Sequence, residues 1–272
     1  MKTFELRDRS ITTDLPAFIM GIVNCTPDSF NPQSRGGAEL ALRLAGEGAD
    51  ILDLGGESTR PGSSYVEEEE EIRRVVPVIE EIRRHSDIPI SVDTRKTAVM
   101  KAAFEAGADI LNDISALEDD AGMADFAAET GIPVILMHKR GTPQDMQKNT
   151  GYADVFAETS RYLEERAIFA MERGISPGRI MVDPGVGFGK DLDDNIELIR
   201  NCGKLCGAKY PVLMALSRKT CIGQMTGREK PEDRLYGTLA ADLLSVMGGA
   251  FMVRVHDVAP CRDTLSVLKS LM

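Results

Sequence analysis

Polar side chains occur in this sequence at the points where short apolar runs end. The run from Ala17 to Val23, for example, ends at Asn24, and no helical pattern follows it. One such residue can be an ordinary helix cap or a group that satisfies a loop. The same change recurs eight times, and the side chains concerned are Asn24, Glu57 with Ser58, Thr59 and Arg60, Asp93, Asn112, His138, Asp183, Ser217 with Arg218 and Lys219, and Arg254 with His256. Eight such endings predict a ring of donors and acceptors around one opening.

The predicted ring has two chemical halves. Asp93, Asn112 and Asp183 supply carboxylates and an amide, which could pair with the N–H-rich edge of a flat heterocycle. The other half suits a phosphorylated group and consists of Lys219, Arg254, His256 and Asn24. The amide oxygen of Asn24 also suits Mg²⁺, which takes few protein ligands and keeps phosphate oxygens and waters. The glycines of 183–190 do not have P-loop spacing and favour close passage of the backbone past a bound ring.

Eight apolar strands must position these side chains, and eight helices alternate with them. We expect strands at about 17–24, 50–54, 89–93, 109–112, 133–138, 179–183, 211–216 and 250–254. We expect helices at about 38–48, 67–84, 98–106, 120–130, 152–173, 193–205, 231–247 and 260–271, and a short hairpin within 3–14. This alternation predicts a closed parallel sheet, whose active face is formed by the loops after the strands.

No change of composition marks a linker, so the prediction is an α/β fold with a single (β/α)₈ TIM barrel over residues 1–272. An open doubly wound sheet is the alternative. The chain has 272 residues, of which 43% are hydrophobic, and this is enough for a large core. Its net charge of −11 argues against nucleic acid and anionic membranes as partners, although it leaves room for a small anionic ligand.

The cysteines and the termini predict a cytoplasmic protein. Five cysteines without disulfide-like spacing suit a reducing compartment. Cys202 and Cys206 lie four residues apart, but a structural zinc site needs four ligands, so helix packing is the favoured interpretation. The first residues are too polar for a signal peptide, and no apolar run approaches the ~20 residues that a membrane helix needs.

Eight segments of the chain, in order, resemble the dihydropteroate synthase family. They are MGIVNCTPDSF (20–30), DLGGESTRPG (53–62), SVDTRK (91–96), GADILND (107–113), LMHKRGT (136–142), DPGVGFGK (183–190), LSRK (216–219) and RVHD (254–257). The resemblance implies an enzyme of folate biosynthesis. Members join 4-aminobenzoate to 6-hydroxymethyl-7,8-dihydropterin diphosphate, which releases pyrophosphate and gives 7,8-dihydropteroate.

The resemblance also implies roles for individual residues. Those implied for the pterin diphosphate are Thr59, Asp93, Asn112, Met137, Asp183, Lys219, Arg254, Val255 and His256, with Asn24 as the Mg²⁺ ligand. Those implied for aminobenzoate are Phe30, Arg60, Pro61, Phe188 and Thr220. The residues expected to act in catalysis are Asp93, Lys219, Arg254 and His256. The family further implies a homodimer through helices near the end of the chain, and a target for sulfonamides.

The expected mechanism is dissociative. Pyrophosphate leaves the pterin methylene while cations stabilise its charge. The aminobenzoate amine then attacks the delocalised cation. This amine is a neutral aniline-type nitrogen, so no general base is assigned.

The sequence departs from the family pattern in two places. After Phe30 it reads Asn31-Pro-Gln-Ser-Arg-Gly-Gly37 where Ser-Asp-Gly-Gly is usual, and Thr220 replaces the usual serine. Two alternatives remain open at this point. One is a pterin-binding methyltransferase domain, which needs neither 217–219 nor 254–256 as a diphosphate site. The other is a protein that binds the pterin diphosphate with little catalysis.

Overall fold

The computed structural model describes residues 1–25, 36–58, 63–141 and 150–272. Its first two strands, β1 (Lys2–Glu5) and β2 (Ser10–Thr13), pair as an antiparallel hairpin, with Phe4 opposite Ile11. Phe4 is buried and contacts the rings of Phe18 and Phe251 edge-on, at 6.5 and 6.3 Å. The predicted hairpin is therefore confirmed, and its apolar side covers one end of the main sheet.

Eight parallel strands form that sheet. They are β3 (Phe18–Asn24), β4 (Ile51–Gly55), β5 (Ile90–Asp93), β6 (Ile110–Asp113), β7 (Val134–Met137), β8 (Ile180–Asp183), β9 (Leu213–Met214) and β10 (Met252–Val255). Their spatial order is β8-β7-β6-β5-β4-β3-β10-β9, and a parallel bridge between Val182 and Val212 joins the two ends. The predicted (β/α)₈ barrel is confirmed. The open doubly wound alternative is wrong, because sequential strands are neighbours all the way round.

Nine helices surround the barrel in the described part of the chain. They are α1 (Gly36–Gly46), α2 (Glu68–Arg83), α3 (Thr97–Glu105), α4 (Met123–Thr130), α5 (Val155–Glu172), α6 (Leu192–Asn201), α7 (Thr220–Thr226), α8 (Leu235–Met247) and α9 (Val258–Leu271). Eight were predicted. The short α7, which follows β9, was not. No helix among the described residues is long and apolar enough to span a membrane.

The prediction for α6 was too long at its end. The helix stops at Asn201, and a 3₁₀ segment, Cys202–Ala208, follows it. Within that segment the backbone leaves the helical region at Leu205, and Cys206 and Gly207 have φ of +50° and +65°. Residues with positive φ cannot continue an α-helix. Gly203 also lies so close to the carbonyl of Gly248 that a side chain there would collide with it.

The strands bury two separate apolar layers. Side chains of successive strand residues point to opposite faces. Ile19, Leu52 and Leu111 belong to the layer between the sheet and the helices. The layer inside the barrel is completed by the hairpin, and its fully or nearly fully buried members are Phe4, Leu6, Phe18, Met20, Ile51, Ile110, Ile135, Met181, Leu213 and Met252. This inner layer is the floor on which the polar groups at the other end of the barrel rest.

Candidate active site

The polar groups at the strand ends follow the inner apolar layer at a spacing of two residues. Asp53 comes two residues after Ile51, and Asn112 comes two after Ile110. The same spacing gives Met137, Asp183 and Arg254 after Ile135, Met181 and Met252. Because a strand repeats its orientation every two residues, all of these side chains face the inside of the barrel. The sheet therefore builds one polar layer above one apolar layer.

Arg254 forms the centre of this layer. Its Nε donates to Oδ2 of Asp53 at 2.5 Å, and its NH2 donates to Oδ2 of Asp93 at 3.2 Å. Asn112 Nδ2 reaches both carboxylate oxygens of Asp53, at 3.3 and 3.4 Å. Asp53 is fully buried. Burial alone would lower the pKa of Arg254, but Asp53 and Asp93 raise it, so this guanidinium stays charged.

Asp93 is the second carboxyl of this centre. Burial raises its pKa to about 7, Arg254 opposes the shift, and Asp53 adds to it. Oδ2 of Asp93 bonds to Arg254, whereas Oδ1 is buried and has no partner among the described residues. A buried acceptor without a partner is costly unless a ligand satisfies it. The oxygen is thus available to a donor on a bound molecule.

The second part of the site joins β8 to the start of α7. Asp183 Oδ1 accepts from the backbone N–H of Gly185 at 2.7 Å. Lys219 Nζ donates to the carbonyl of Val186 at 2.5 Å and lies 4.9 Å from the centre of the Phe188 ring. Burial raises the pKa of Asp183 and lowers that of Lys219, and the attraction between the two charges opposes both shifts. A cation and a carboxylate therefore share one wall of the barrel opening.

The third part of the site lies at the end of β10. His256 contacts Ser217 Oγ through both its backbone N–H (3.1 Å) and Nδ1 (3.0 Å). The neighbouring Arg218 forms a two-bonded ion pair with Asp257, at 2.6 and 2.9 Å. Bidentate pairs of this kind fix geometry as well as charge. The loops after β9 and β10 are held together in this way, and His256 is oriented by Ser217.

Comparison with known proteins agrees with this geometry. Residues 20–256 match the model of the family described as pterin binding enzyme. A dihydropteroate synthase of Neisseria meningitidis serogroup B is 46% identical over 266 residues, which cover 93% of this chain and 92% of that protein. The chain belongs to the dihydropteroate synthase family. It is a transferase of folate biosynthesis.

Solved structures of dihydropteroate synthases have the same fold. The Xanthomonas albilineans enzyme with 4-aminobenzoic acid superposes with a TM-score of 0.93 at 46% identity, over 99% of this chain and 97% of that one. A second structure of that enzyme, in complex with 7,8-dihydropteroate, gives a TM-score of 0.88 at 42% identity, over 99% and 98% of the two chains. These similarities cover the barrel, the hairpin and the loops described above.

The remaining residues assigned through the resemblance to dihydropteroate synthases have varied positions. Met137 and Val255 are buried at strand ends, Phe188 is half-buried, and Asn24 is half-buried at the end of β3. Thr220, the first residue of α7, is exposed. Four further predicted residues lie outside the described part of the chain, namely Phe30, Thr59, Arg60 and Pro61.

Sequence reasoning missed Asp53 and misplaced His138. Asp53 lies before the predicted end of its strand, so a search for strand-ending residues did not find it. Its position two residues after Ile51, which faces the inside of the barrel, shows that Asp53 also faces the inside. His138 follows Met137 and therefore has the opposite orientation. Its Nδ1 lies 2.9 Å from Lys190 Nζ, and its ring meets Tyr162 edge-on at 4.9 Å. Burial, followed by Lys190, lowers the pKa of His138 to about 2. It supports the loops and does not face the opening.

The side chains of this site could bind only a metal ion whose other ligands come mainly from the bound substrate and water. No group of three or more His, Cys, Asp or Glu side chains that could hold a metal occurs among the described residues. Asn24 supplies one amide oxygen at the rim, in register with Gly55 of β4. Mg²⁺ accepts such a site, because it keeps waters and phosphate oxygens as its other ligands. A zinc site, which needs three or four protein ligands, does not fit this set.

Proposed function

We propose that this chain condenses 6-hydroxymethyl-7,8-dihydropterin diphosphate with 4-aminobenzoate to give 7,8-dihydropteroate and pyrophosphate. The observation that carries this assignment is the polar layer inside the barrel. Its acceptors, Asp93, Asn112 and Asp183, lie beside two cations, Lys219 and Arg254. A heterocycle with a diphosphate needs both kinds of group. The dihydropteroate-bound relative from Xanthomonas albilineans supports the choice of product.

The acceptors bind the pterin in this proposal. Asp183 and Asn112 face the N–H groups of its pyrimidine edge, and the free oxygen of Asp93 accepts from the other ring. Met137, which is buried and points inward, packs on the face of the heterocycle. Lys219 donates to an oxygen or nitrogen of the ring, and Phe188, whose ring lies beside Lys219, borders the aminobenzoate.

The reaction proceeds by loss of pyrophosphate. The bond between the pterin methylene carbon and the diphosphate oxygen breaks, and its electron pair leaves with pyrophosphate. Arg254 and His256, at the end of β10, stabilise the negative charge that develops there. The cation that remains is delocalised over the pterin ring, and the carboxylate form of Asp93 favours it. The amine of aminobenzoate then forms the new C–N bond and loses its proton to water.

Asn24 would hold Mg²⁺ together with the diphosphate. The ion would supply positive charge to the leaving pyrophosphate. The other side chains have separate roles. Their part is to bind the pterin, to orient His256 through Ser217, and to keep Arg254 charged between two carboxylates.

A coupled assay tests the proposed function. Dihydropterin diphosphate, 4-aminobenzoate and Mg²⁺ are mixed with the protein, and pyrophosphate release is measured with each component omitted in turn. We expect sustained release that needs both organic substrates and is inhibited by a sulfonamide. Binding of the pterin without turnover would contradict the proposal and favour a binding protein. A single-turnover experiment without aminobenzoate tests the dissociative step, which predicts some cleaved pterin and pyrophosphate on the enzyme.

The pterin pocket has its own test. Replacing Lys219 with alanine removes the donor that lies between Val186 and Phe188, so we expect the affinity for the pterin diphosphate to fall by roughly a hundredfold. Isothermal titration calorimetry measures this directly. An unchanged affinity would remove Lys219 from the pocket. Lys204, an exposed lysine that bonds to Asn201, provides the control substitution, Lys204→Ala.

We also propose that the protein is a cytoplasmic homodimer whose residues 1–272 form one domain. All five cysteines are free and buried thiols, which suits a reducing compartment. The family match over residues 20–256 and the single eight-stranded sheet support one domain. The support for a dimer comes from exposed apolar side chains on α8 and α9, which are treated below.

A further inference from the structure

We infer that Lys190 is a positioning residue of this enzyme, whose buried ammonium group holds the loop 184–189 in the shape that presents Val186 and Phe188 to Lys219. The inference rests on the proposed function, because that function gives Lys219 and Phe188 their roles. The two lysines have different partners. Lys190 Nζ lies next to His138, whereas Lys219 Nζ bonds to the carbonyl of Val186.

The contacts of Lys190 converge on one atom. Nζ lies 2.9 Å from Nδ1 of His138, 3.0 Å from the carbonyl of Gly185 and 3.1 Å from the carbonyl of Phe188. The carbonyl of His138 is a fourth and more distant acceptor, at 3.4 Å. An ammonium group has three protons, and three short contacts use them all. Lys190 is only 3% exposed, so water does not compete for these bonds.

The loop that Lys190 holds has an unusual backbone. Gly185, Gly187 and Gly189 all have positive φ. The backbone of Gly185 passes so close to the carbonyl of His138 that no side chain would fit. Several carbonyls are thereby turned toward one buried point, where they would repel one another without a cation. Lys190 provides this cation from within the chain.

The same loop also carries contacts of the active site. Val186 lies between the two carbonyls that bind Lys190, and its own carbonyl accepts from Lys219 at 2.5 Å. The carbonyl of Phe188 accepts a hydrogen bond from Lys190, and its ring lies next to the ammonium group of Lys219. The two lysines therefore bind different carbonyls of one short loop. If Lys190 is lost, the carbonyl of Val186 and the ring of Phe188 are no longer fixed relative to Lys219.

The surroundings of Lys190 make its charge sensitive to pH. Burial lowers the pKa of Lys190 to about 7, Asp183 and Asp194 oppose the shift, and Lys219 and Arg140 add to it. His138 stays neutral in this range, because its own pKa is lowered to about 2, and its Nδ1 remains an acceptor. Tyr152, whose ring centre is 5.9 Å from Nζ, has a pKa raised to about 12 and stays neutral as well. Lys190 is thus the group of this cluster that titrates near neutrality.

Two variants and a matched control test the inference. In Lys190→Met the carbon chain is kept and the charge is lost. We expect kcat/KM to fall by about a hundredfold, mainly through higher KM for both substrates, while the chemistry of Arg254 and His256 is preserved. In Lys209→Met, an exposed lysine paired with Glu164 is removed, and we expect kinetics like those of the wild type. Equal kinetic constants for Lys190→Met and the wild type would overturn the inference.

Chemical rescue separates positioning from a general structural role. In Lys190→Ala, the space of the side chain is open to a small amine. We expect methylammonium or ethylammonium to restore much of the lost kcat/KM in a saturable manner, and ethanol at the same concentration to restore none. Equal effects of the amine and the alcohol would contradict the role of the charge. Circular dichroism verifies that the variant is folded. If Lys190→Ala does not fold, His138→Ala, which removes one acceptor, replaces it, and unchanged KM values would overturn the inference.

Hydrogen–deuterium exchange on the ligand-free protein keeps this test independent of the proposed function. We expect faster exchange of the amides of 185–189 in Lys190→Met than in the wild type or in Lys209→Met. If the wild type releases no pyrophosphate, the proposed function fails while the exchange result still decides whether Lys190 holds the loop. If the wild type is active and the loop exchanges equally in all three proteins, the inference about Lys190 fails alone.

Discussion

Asp53, Asp93 and Arg254 form a group of three charges at the centre of the barrel, in which one cation lies between two buried carboxylates. Removal of one member of such a group leaves another buried charge uncompensated, which is strongly destabilising. Burial raises the pKa of Asp93 to about 7. The protonation of Asp93 therefore changes near neutral pH.

The pH dependence of the reaction follows from this arrangement. Below about pH 7 the carboxyl of Asp93 is neutral, and above it the carboxylate favours the pterin cation. We expect kcat/KM to rise with pH through this value, since kcat/KM reports the pKa of the free enzyme. In Asp53→Asn a negative charge that raises the pKa of Asp93 is lost, so the rise should move to lower pH. The plateau should fall roughly tenfold, because Arg254 loses one of its two partners.

A carboxylate on the outside of the barrel provides the control for this prediction. Asp125→Asn removes an exposed carboxylate that pairs with Arg173 on the outer helices, and its pH profile should match that of the wild type. If the profile of Asp53→Asn moved to higher pH, or did not move, the assignment of the rise to Asp93 would be wrong. Lys190 titrates in the same range but with the opposite effect, because the charge that holds the loop is lost above about pH 7. Its titration would lower kcat/KM as the pH rises, and this fall should be absent from the profile of Lys190→Met.

For single residues, the sequence predicted which residue types form the site better than it predicted which way their side chains point. The acids and cations of the site were found because they end apolar runs. Asp53 was missed and His138 was misplaced, because the search used the ends of strands and not the alternation within them. Counting in twos from Ile51 and Ile135 identifies Asp53 and Met137 as inward and His138 as outward. The starting point of that count is the inner layer, which the sequence alone did not reveal.

The loop after β8 depends on glycines whose backbone has positive φ. Gly185 has φ of +65° and lies against the carbonyl of His138, and Gly203 lies against the carbonyl of Gly248 far from the opening. An added methyl group must displace backbone in both places. We expect Gly185→Ala and Gly203→Ala each to lower the free energy of unfolding by roughly 2 kcal/mol. Denaturant titration measures this loss.

The two glycine variants should differ in function. Only Gly185 belongs to the loop that Lys190 and Lys219 hold, so KM should rise in Gly185→Ala and stay near the wild-type value in Gly203→Ala. Steady-state pyrophosphate release distinguishes them at a temperature where both are folded. Similar KM values for the two variants would mean that the loop tolerates displacement, contrary to its proposed role.

Lys96 connects three elements on the side of the barrel near β5. Its Nζ donates to Glu57, which follows β4, to Glu71 Oε2 in α2 at 2.5 Å, and to the carbonyl of Val66 at 2.6 Å. Glu71 is 1% exposed. Lys96→Met would leave this carboxylate buried without its cation, and we expect a loss of roughly 3 kcal/mol in the free energy of unfolding.

A second substitution separates charge from packing in this cluster. Glu57 keeps Arg95 as a partner at 2.9 Å, so Glu71 carries most of the effect. Adding Glu71→Gln to Lys96→Met removes the isolated charge, and the double variant should recover about half of the lost stability. If the double variant were less stable than Lys96→Met, packing around the side chains rather than the unpaired charge would explain the loss.

The elements that the sequence did not predict have weak or non-local signals. The helix α6 ends at Asn201, and in the 3₁₀ segment that follows Cys206 and Gly207 have positive φ. Gly203 of that segment also lies against the carbonyl of Gly248, which is distant in sequence. The helix α7 has only seven residues and a weak pattern. In contrast, the long α2 and α5 were predicted nearly to their ends, because acidic residues at their starts and an apolar face mark them locally.

On the outside of the barrel, α8 and α9 expose a group of apolar side chains. On α8, Tyr236, Leu244 and Met247 are exposed by 83%, 63% and 65%. They lie at helical spacing on one face, and Val267 and Leu271 of the neighbouring α9 are exposed as well. Exposed apolar side chains that are grouped on neighbouring helices are typical of interfaces between protein chains. The family resemblance makes a second copy of the chain the expected partner.

Sedimentation velocity tests this homodimer. In Leu244→Lys a charge replaces an apolar side chain on the face shared by Tyr236 and Met247, so we expect the dimer of the wild type to become a monomer at micromolar concentration. Ile168→Lys is the matched control, because Ile168 is an exposed apolar residue on α5, on another side of the barrel, and it should leave the dimer intact. A monomeric wild type, or a Leu244→Lys protein that still sediments as a dimer, would exclude this face as the interface.

The opening of the barrel is formed by strand ends and not by α8. Turnover per chain in Leu244→Lys should therefore stay within about threefold of the wild type, and the loss should appear in thermal stability, since dissociation removes the contribution of association to folding.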